Sequence, residues 1–218
     1  MKVVTSAYLL HNTGNADIVQ GKFEHISGTP VITEKLFDLE FEISPKSFFQ
    51  TNTLGAEELY RVTGEMIRTK NPVVFDLYAG TGTIGMVLAS RAKEVYSVEI
   101  VPEASEDNIR NLAKNNIKNV TVINAPVEKL LEEWKKEGKT PDVIVIDPPR
   151  AGMHPDAPGI LRDFNPKEII YVSCNPATLA RDIPLIAPNG EYRVTDITPV
   201  DMFPHTHHIE AVVRMERV

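Results

Sequence analysis

From Val73 onward the sequence alternates, without a break, between short apolar runs of β character and amphipathic segments of helical period. That alternation restricts the fold more than any other feature. Strands are expected at Val73–Leu77, Val95–Glu99, Val120–Asn124, Asp142–Asp147 and Glu168–Ser173, with helices at Thr83–Ala92, Pro102–Asn115, Val127–Lys136, Ala157–Phe164 and Ala177–Ala187. Strands joined by helices pair in parallel and are covered on both faces, which predicts an α/β architecture with a mostly parallel sheet. The last two strands, Tyr192–Ile197 and Ile209–Glu216, follow one another with no helix between them, so one strand near an edge should be antiparallel. Ahead of this block, Leu59, Val62, Met66 and Ile67 set the apolar face of a helix from Thr53 to about Lys70, and Ser44–Asn52 has no period and reads as a loop. Residues 1 to 44 alternate β-like runs (Val3–Leu10, Ile18–Phe23, Val31–Thr33, Leu36–Ile43) with turn signals at Asn12–Asn15 and Gly28–Pro30. The expected organisation is a small β-rich appendage over 1–44 and an α/β domain over 45–218.

In open α/β sheets ligands bind beyond the carboxyl ends of the strands, so the chemistry should lie in the loops that follow them. Three stretches qualify. Asp76–Gly85, DLYAGTGTIG, carries G-x-G-x-x-G at Gly80, Gly82 and Gly85, directly after a strand and opening a helix. Glycines there allow a tight turn and close approach of a cofactor. Glu99, ending the next strand, lies where a carboxylate accepts hydrogen bonds from ribose hydroxyls. An adenosine-containing cofactor follows, and nicotinamide dinucleotides and S-adenosylmethionine both fit. Val143–Arg150, VIVIDPPR, ends a strand in an acid and two prolines, whose fixed φ and missing N–H make a stiff rim presenting Asp147 and Arg150. Ile169–Pro176, IIYVSCNP, delivers Cys174, the single cysteine of the chain, into a turn.

A lone cysteine is often a small buried hydrophobe. As a nucleophile, Cys174 would need cationic or dipolar neighbours to favour its thiolate, and Arg150 and Arg181 are the candidates by spacing. Glu210, in the run DMFPHTHHIE (Asp201–Glu210) before the last strand, is a candidate base. His205, His207 and His208 invite a metal reading with Cys174. No C-x-x-C or H-E-x-x-H frame supports it, and no metal is expected.

The net charge of -7 argues against a simple electrostatic clamp on nucleic acid. Apolar runs are too short to span a bilayer and Met1-Lys2 is not followed by a signal-peptide core, so a cytoplasmic protein without membrane contact is expected. One cysteine supports neither an internal disulfide nor an iron–sulfur cluster by itself.

Taken together, FFQTN (Phe48–Asn52), DLYAGTG (Asp76–Gly82), DPPR (Asp147–Arg150), SCNPATLARD (Ser173–Asp182) and DMFPHTHHIE make the chain similar to the S-adenosylmethionine-dependent RNA 5-methyluridine methyltransferases over its whole length. The resemblance implies a Rossmann-like class I methyltransferase domain with a seven-stranded sheet. It implies cofactor contacts from Gln50, Tyr78, Thr83, Glu99 and Asp147 beside the glycines Gly80 and Gly82. It further implies a substrate rim of Asp147, Pro148 and Arg150, with Cys174 as nucleophile and Glu210 as base. Many relatives carry asparagine where Thr83 stands. The implied reaction is methylation of uracil carbon 5 in RNA through a covalent adduct of Cys174 to carbon 6, releasing S-adenosylhomocysteine. SCNPATLARD and DMFPHT look closer to enzymes of large-subunit ribosomal RNA (23S) than to those of transfer RNA. Fuller relatives carry an amino-terminal RNA-binding barrel that these residues lack, so a truncated chain is expected, with 1–44 the remnant of a central domain. Two other readings stay open: a nicotinamide-dependent oxidoreductase, from the glycines and Glu99, and a non-catalytic cofactor-binding fragment.

Overall fold

The computed structural model describes residues 4–12 and 21–218; Val3, residues 13–15 of the first expected turn and 18–20 of the second expected strand lie outside them. The most apolar runs lie in the middle of one sheet. All four residues of β8 (Val143–Ile146) and all six of β9 (Glu168–Ser173) are buried, as a strand covered on both faces must be. Their side chains alternate between two cores. Val143, Val145, Ile170 and Val172 face one, while Ile144, Ile146, Ile169 and Tyr171 face the other.

The remaining strands of that sheet are β5 (Val73–Leu77), β6 (Glu94–Glu99), β7 (Val120–Asn124), β10 (Tyr192–Val200) and β11 (Glu210–Arg217), in the order β10-β11-β9-β8-β5-β6-β7. Only β11 is antiparallel to its neighbours, one place in from the edge. The sheet thus has the expected seven strands, mostly parallel and covered on both faces, in a Rossmann-like α/β arrangement. On one face lie α1 (Thr53–Met66), α2 (Thr83–Ala89) and α3 (Pro102–Lys114); on the other lie α4 (Val127–Glu137), α5 (Ala157–Asp163) and α6 (Pro176–Ile186). Among the described residues no helix is long and apolar enough to cross a membrane.

Several boundaries differ from expectation. The first helix ends at Met66 rather than near Lys70, because the Glu168 carboxylate accepts the backbone N–H groups of Arg68 (3.0 Å) and Thr69 (3.4 Å) and pulls the chain out of helical register. That carboxylate is buried and also accepts from the buried Arg214 guanidinium at 2.9 Å. The final hairpin is longer than expected, since β10 continues to Val200 through Pro199. A proline is tolerated there because β10 is an edge strand.

The appendage is two hairpins. β1 (Ser6–His11) pairs with β2 (Lys22–Gly28), which lies later than the expected Ile18–Phe23, and β3 (Ile32–Leu36) pairs with β4 (Leu39–Ile43). The second hairpin belongs to the main core, where Leu36, Phe41 and Ile43 pack beside α1. Among the described residues the free edge of β4 has no strand partner. Side chains of α3 take that place: Asn115 accepts from Glu40 N (3.0 Å) and donates to Glu40 O (2.7 Å), and Asn111 does the same for Glu42 N (2.8 Å) and O (3.1 Å). Asp107 accepts from Ser44 N (2.8 Å), and Glu103 pairs with Lys46. Four helical residues rise about 6 Å and two strand residues about 6.6 Å, so the two elements stay in step for the whole ladder.

Substituting Asn111→Ala strands both backbone groups of Glu42 in a part-buried place, and unfolding in urea should show a loss of about 2–4 kcal/mol. A loss under about 1 kcal/mol would mean that the helix side chains do not hold β4.

Candidate active site

The site is assembled from the loops that follow β5, β8 and β9, the segment before α1 and the start of β11. At the end of β5, the Asp76 carboxylate is buried and accepts from Ser97 Oγ at 2.8 Å, while its other oxygen, Oδ1, has no partner among the described residues. Burial pushes its pKa up to about 6, with the Ser97 hydroxyl and the Gly85 N–H pulling the other way. Tyr78 follows at φ +63, and its hydroxyl donates to Glu128 Oε1 at 3.3 Å. Gly80 (φ +55) has open space where a Cβ would point, so the loop offers bare backbone to a ligand. A Cβ on Gly85 would lie 2.5 Å from Ser97 Oγ, so this glycine serves the packing of α2 on the sheet.

Glu99 stands behind the loop. Its Oε2 accepts from Gly80 N and its Oε1 from Val101 N, both at 2.8 Å, and each oxygen keeps a second lone pair. Thr83, the first residue of α2, donates to the hydroxyl of Tyr60 at 3.1 Å.

The loop after β8 is held by α6. The Arg150 carbonyl accepts from Asn175 Nδ2 (3.1 Å) and Thr178 Oγ1 (3.4 Å), and Ala151 O accepts from Arg181 Nη2 (3.0 Å). The buried Asp182 carboxylate receives Met153 N (3.0 Å) and the Tyr171 hydroxyl (2.7 Å). Arg181 is therefore not a neighbour that activates Cys174. Its guanidinium is bound to Asp182 at 2.7 Å, and it braces the proline rim instead.

Cys174 follows β9 directly and is half-buried. Burial pushes its thiol above the ordinary range, the Glu210 and Asp147 carboxylates push it further, and Arg150 opposes them. Glu210, the first residue of β11, is buried, which raises its pKa against the pull of Arg150. Burial raises Asp147 to about 8, helped by Glu210 and Asp76. Asn52 closes the arrangement: its Oδ1 caps α1 by accepting from Gly55 N (3.2 Å), and its Nδ2 donates to Met202 O (2.8 Å), joining the Phe48–Asn52 segment to the loop that leads into Glu210.

These elements enclose a cavity of about 410 Å³. Of the residues singled out in the sequence, Gln50, Tyr78, Gly80, Thr83, Asp147, Pro148, Arg150, Cys174 and Glu210 line it. Gly82 and Glu99 do not: Gly82 (φ +79) opens α2 with Asn108 packed against its Cα, and Glu99 holds Gly80 from behind. Tyr60 and Phe203 also line the cavity and were not expected. Tyr60 lies on the apolar face of α1, where its position reads as plain core. Among the described residues no group of three or more His, Cys, Asp or Glu side chains is arranged to hold a metal. The arrangement can cradle a ligand with a cationic centre against Asp147 and Glu210, with a thiol and one guanidinium on the same cavity.

Comparison with known proteins gives the lineage. The model of the tRNA (uracil-5-)-methyltransferase family matches residues 18–218. The chain belongs to this family. It is 42% identical over its whole length to an uncharacterized RNA methyltransferase of Lactobacillus johnsonii, covering 48% of that protein. It is 45% identical over 96% of its length to another of Clostridium acetobutylicum, covering 46% of it. A tRNA (uracil-54, C5)-methyltransferase of Pyrococcus abyssi, solved with S-adenosyl-L-homocysteine, superposes with a TM-score of 0.79 at 35% identity, over 97% of this chain and 50% of that one. The chain therefore spans about half the length of the relatives it matches.

Because the chain has a single cysteine, alkylation by iodoacetamide reads the Cys174 thiol directly. Its rate should rise with pH to a midpoint above the ~8.5 of a free thiol. Arg150→Met removes the cation that lowers the pKa and should move the midpoint higher still; a midpoint at or below that of a free thiol would contradict this account of the site.

Proposed function

We propose that residues 45–218 form the catalytic domain of an RNA methyltransferase that moves a methyl group from S-adenosylmethionine to carbon 5 of a uridine, with 1–44 as its appendage. One observation carries the reading: a cysteine, a buried glutamate and an arginine share a cavity with a glycine loop built for an adenosine-type ligand. The residues present fit the cofactor. The bare backbone at Gly80, held in place from behind by the Glu99 carboxylate, and the buried carboxylate of Asp147 for a cationic centre are what such a molecule needs. When bound, S-adenosylmethionine supplies an electrophilic methyl group on a sulfonium and leaves as S-adenosylhomocysteine.

The chain's own residues do the rest. Cys174, as thiolate, adds to carbon 6 of the uracil, and the electron pair displaced from the 5,6 double bond makes carbon 5 nucleophilic. Arg150 favours the thiolate and offers its fork to a carbonyl oxygen or a phosphate. Pro148 and Pro149 give the base a rigid wall. Once carbon 5 carries the methyl group, the Glu210 carboxylate takes the carbon 5 proton, the 5,6 double bond re-forms, and the Cys174 sulfur leaves with its electron pair. Burial raises the pKa of Glu210, which makes it a stronger base than an exposed carboxylate. A uridine in structured RNA must be turned out of its stack to reach this cavity.

Two substrates are supported by different observations. The SCNPATLARD and DMFPHT segments favour large-subunit ribosomal RNA, and the similarity to the P. abyssi enzyme favours transfer RNA. We place ribosomal RNA first and assign the protein to the cytoplasm with that substrate.

RNA carrying 5-fluorouridine tests the chemistry, because fluorine cannot leave as a proton and the adduct should persist. Mass spectrometry with S-adenosylmethionine should show a methylated RNA adduct on the wild type and none on Cys174→Ala. With ordinary uridine, Glu210→Gln should accumulate the same methylated adduct, since only the last proton transfer is blocked. Intact cofactor binding without any wild-type adduct would sink the covalent mechanism.

A further inference from the structure

Asp182, on α6, is a buried carboxylate that the proposed reaction does not use. Its Oδ2 accepts from the Tyr171 hydroxyl of β9 (2.7 Å) and from Met153 N in the loop after β8 (3.0 Å), and its Oδ1 accepts from Arg181 Nε (2.7 Å). Asp182 is 1% exposed and Tyr171 is fully buried. Tyr171, Arg181 and Asp182 all lie outside the lining of the cavity that holds Cys174. Burying a carboxylate carries a large desolvation cost, which hydrogen bonds to the charged group offset. Three elements therefore meet at one anchored point behind the proline rim.

Cys174 lies between the two arms of this anchor, with Tyr171 three residues before it and Asp182 eight after it. The turn at the cysteine is itself tied, since Asn175 N donates to Ser173 Oγ at 3.1 Å. Along the facing loop, Arg150 O is held by Asn175 and Thr178, Ala151 O by Arg181, and Met153 N by Asp182, so residues 150 to 153 run along α6 from its N-cap. Gly152 (φ +82) permits the close approach: a Cβ there would lie 2.3 Å from Arg181 Nη2 and 2.7 Å from Asp182 Oδ2. Asp147 is held differently, by the sheet, its N–H donating to Leu77 O at 3.3 Å. Loosening the Asp182 end thus frees the Arg150 segment and leaves Asp147 in place. Burial and the Asp182 carboxylate push the Tyr171 hydroxyl well above its ordinary range, which keeps it a donor.

We propose that Asp182, with Tyr171 as its partner, is a positioning residue that fixes the Arg150 segment against the turn carrying Cys174. Its purpose rests on the function proposed above, while its physical content, the placing of a guanidinium beside a sulfur, can be read without RNA. A guanidinium stabilises a thiolate only while it is held close, because the attraction falls with distance and with exposure to water and salt. The charged and titratable groups sharing the cavity with the sulfur are Glu210 on β11, Asp147 and Arg150 from the end of β8 and its loop, Tyr60 on α1 and Tyr78 after β5. Glu210 and Asp147 disfavour the thiolate and Arg150 favours it. Arg150 belongs to the segment that Asp182 anchors, and the two acids do not.

The test follows iodoacetamide alkylation of Cys174 against pH in wild type, Asp182→Asn, Tyr171→Phe and each of these combined with Arg150→Met, with circular dichroism to confirm that each variant is folded. Asp182→Asn should raise the alkylation midpoint by about half a pH unit, a roughly threefold loss of thiolate at neutral pH. Tyr171→Phe should move it in the same direction; it removes one hydroxyl and leaves the carboxylate, so it carries the test alone if Asp182→Asn does not fold. In the Arg150→Met background either substitution should shift the midpoint by less than half as much, because the cation it positions is gone. An unchanged or lowered midpoint in the folded variants would overturn the positioning role, as would an equal shift with and without Arg150, which is what general loosening of the fold predicts. With RNA carrying 5-fluorouridine, the plateau rate of adduct formation should fall about threefold at neutral pH, in step with the thiolate. Alkylation shifts as expected without any adduct on the wild type would overturn the reaction proposed above and leave the placing of Arg150 by Asp182 supported.

Discussion

The ladder of side chains that α3 extends to the edge of β4 is the contact on which the site's geometry depends most. It does the work of a missing strand, and it does so from a helix that serves two other clients. Asn108, one residue beyond Asp107, packs its amide against Gly82 at the start of α2. The turn into α3 is held by the Glu99 carboxylate on Val101 N, and the same carboxylate holds Gly80. One helix therefore sets the height of the glycine loop and, through Ser44 and Lys46, the path of the segment that brings Gln50 over it. Asn52 ties the far end of that segment to the loop before β11. The glycine-loop side and the Glu210 side of the cavity are thereby linked through α3 and the Phe48–Asn52 segment.

The second organising fact is electrostatic. Asp76, Asp147 and Glu210 all have raised pKa values, chiefly from burial, and Arg150 is the cation that opposes the rise at Cys174 and Glu210. Such a cavity is poorly satisfied when empty and favours a ligand that carries positive charge. Under the proposed reaction the sulfonium meets this demand. The cost of keeping acids in a poorly hydrated place is then offset only in the complex.

Much of this was legible in the residues. The strand–helix alternation gave the sheet because apolar period and length are local signals, and four of the five motifs lie next to strand ends, where ligands bind in such sheets. What could not be read depends on partners far away in sequence. The end of α1 is decided by Glu168, a hundred residues on. The ladder rests on Asp107, Asn111 and Asn115, polar residues four apart that look like a solvated face of a helix. Tyr60 carries no sequence signal of a site, because its ring belongs to the core and only its hydroxyl meets Thr83. Arg181 was misassigned for a related reason: spacing places it near Cys174, but Asp182 captures it. β2 runs past the expected Phe23 to Gly28, where nearly all of its residues are exposed and no apolar alternation marks it.

The acids around Cys174 bear on its survival as well as its chemistry. Oxidation, like alkylation, attacks the thiolate, and these 218 residues contain no second cysteine to capture a sulfenic acid as a disulfide. Burial, with the Glu210 and Asp147 carboxylates adding to it, raises the Cys174 thiol above its ordinary range and so disfavours the thiolate that peroxide attacks. Under the proposed reaction a cationic ligand beside these carboxylates would offset their share of that rise, so reactivity would grow with occupancy of the cavity.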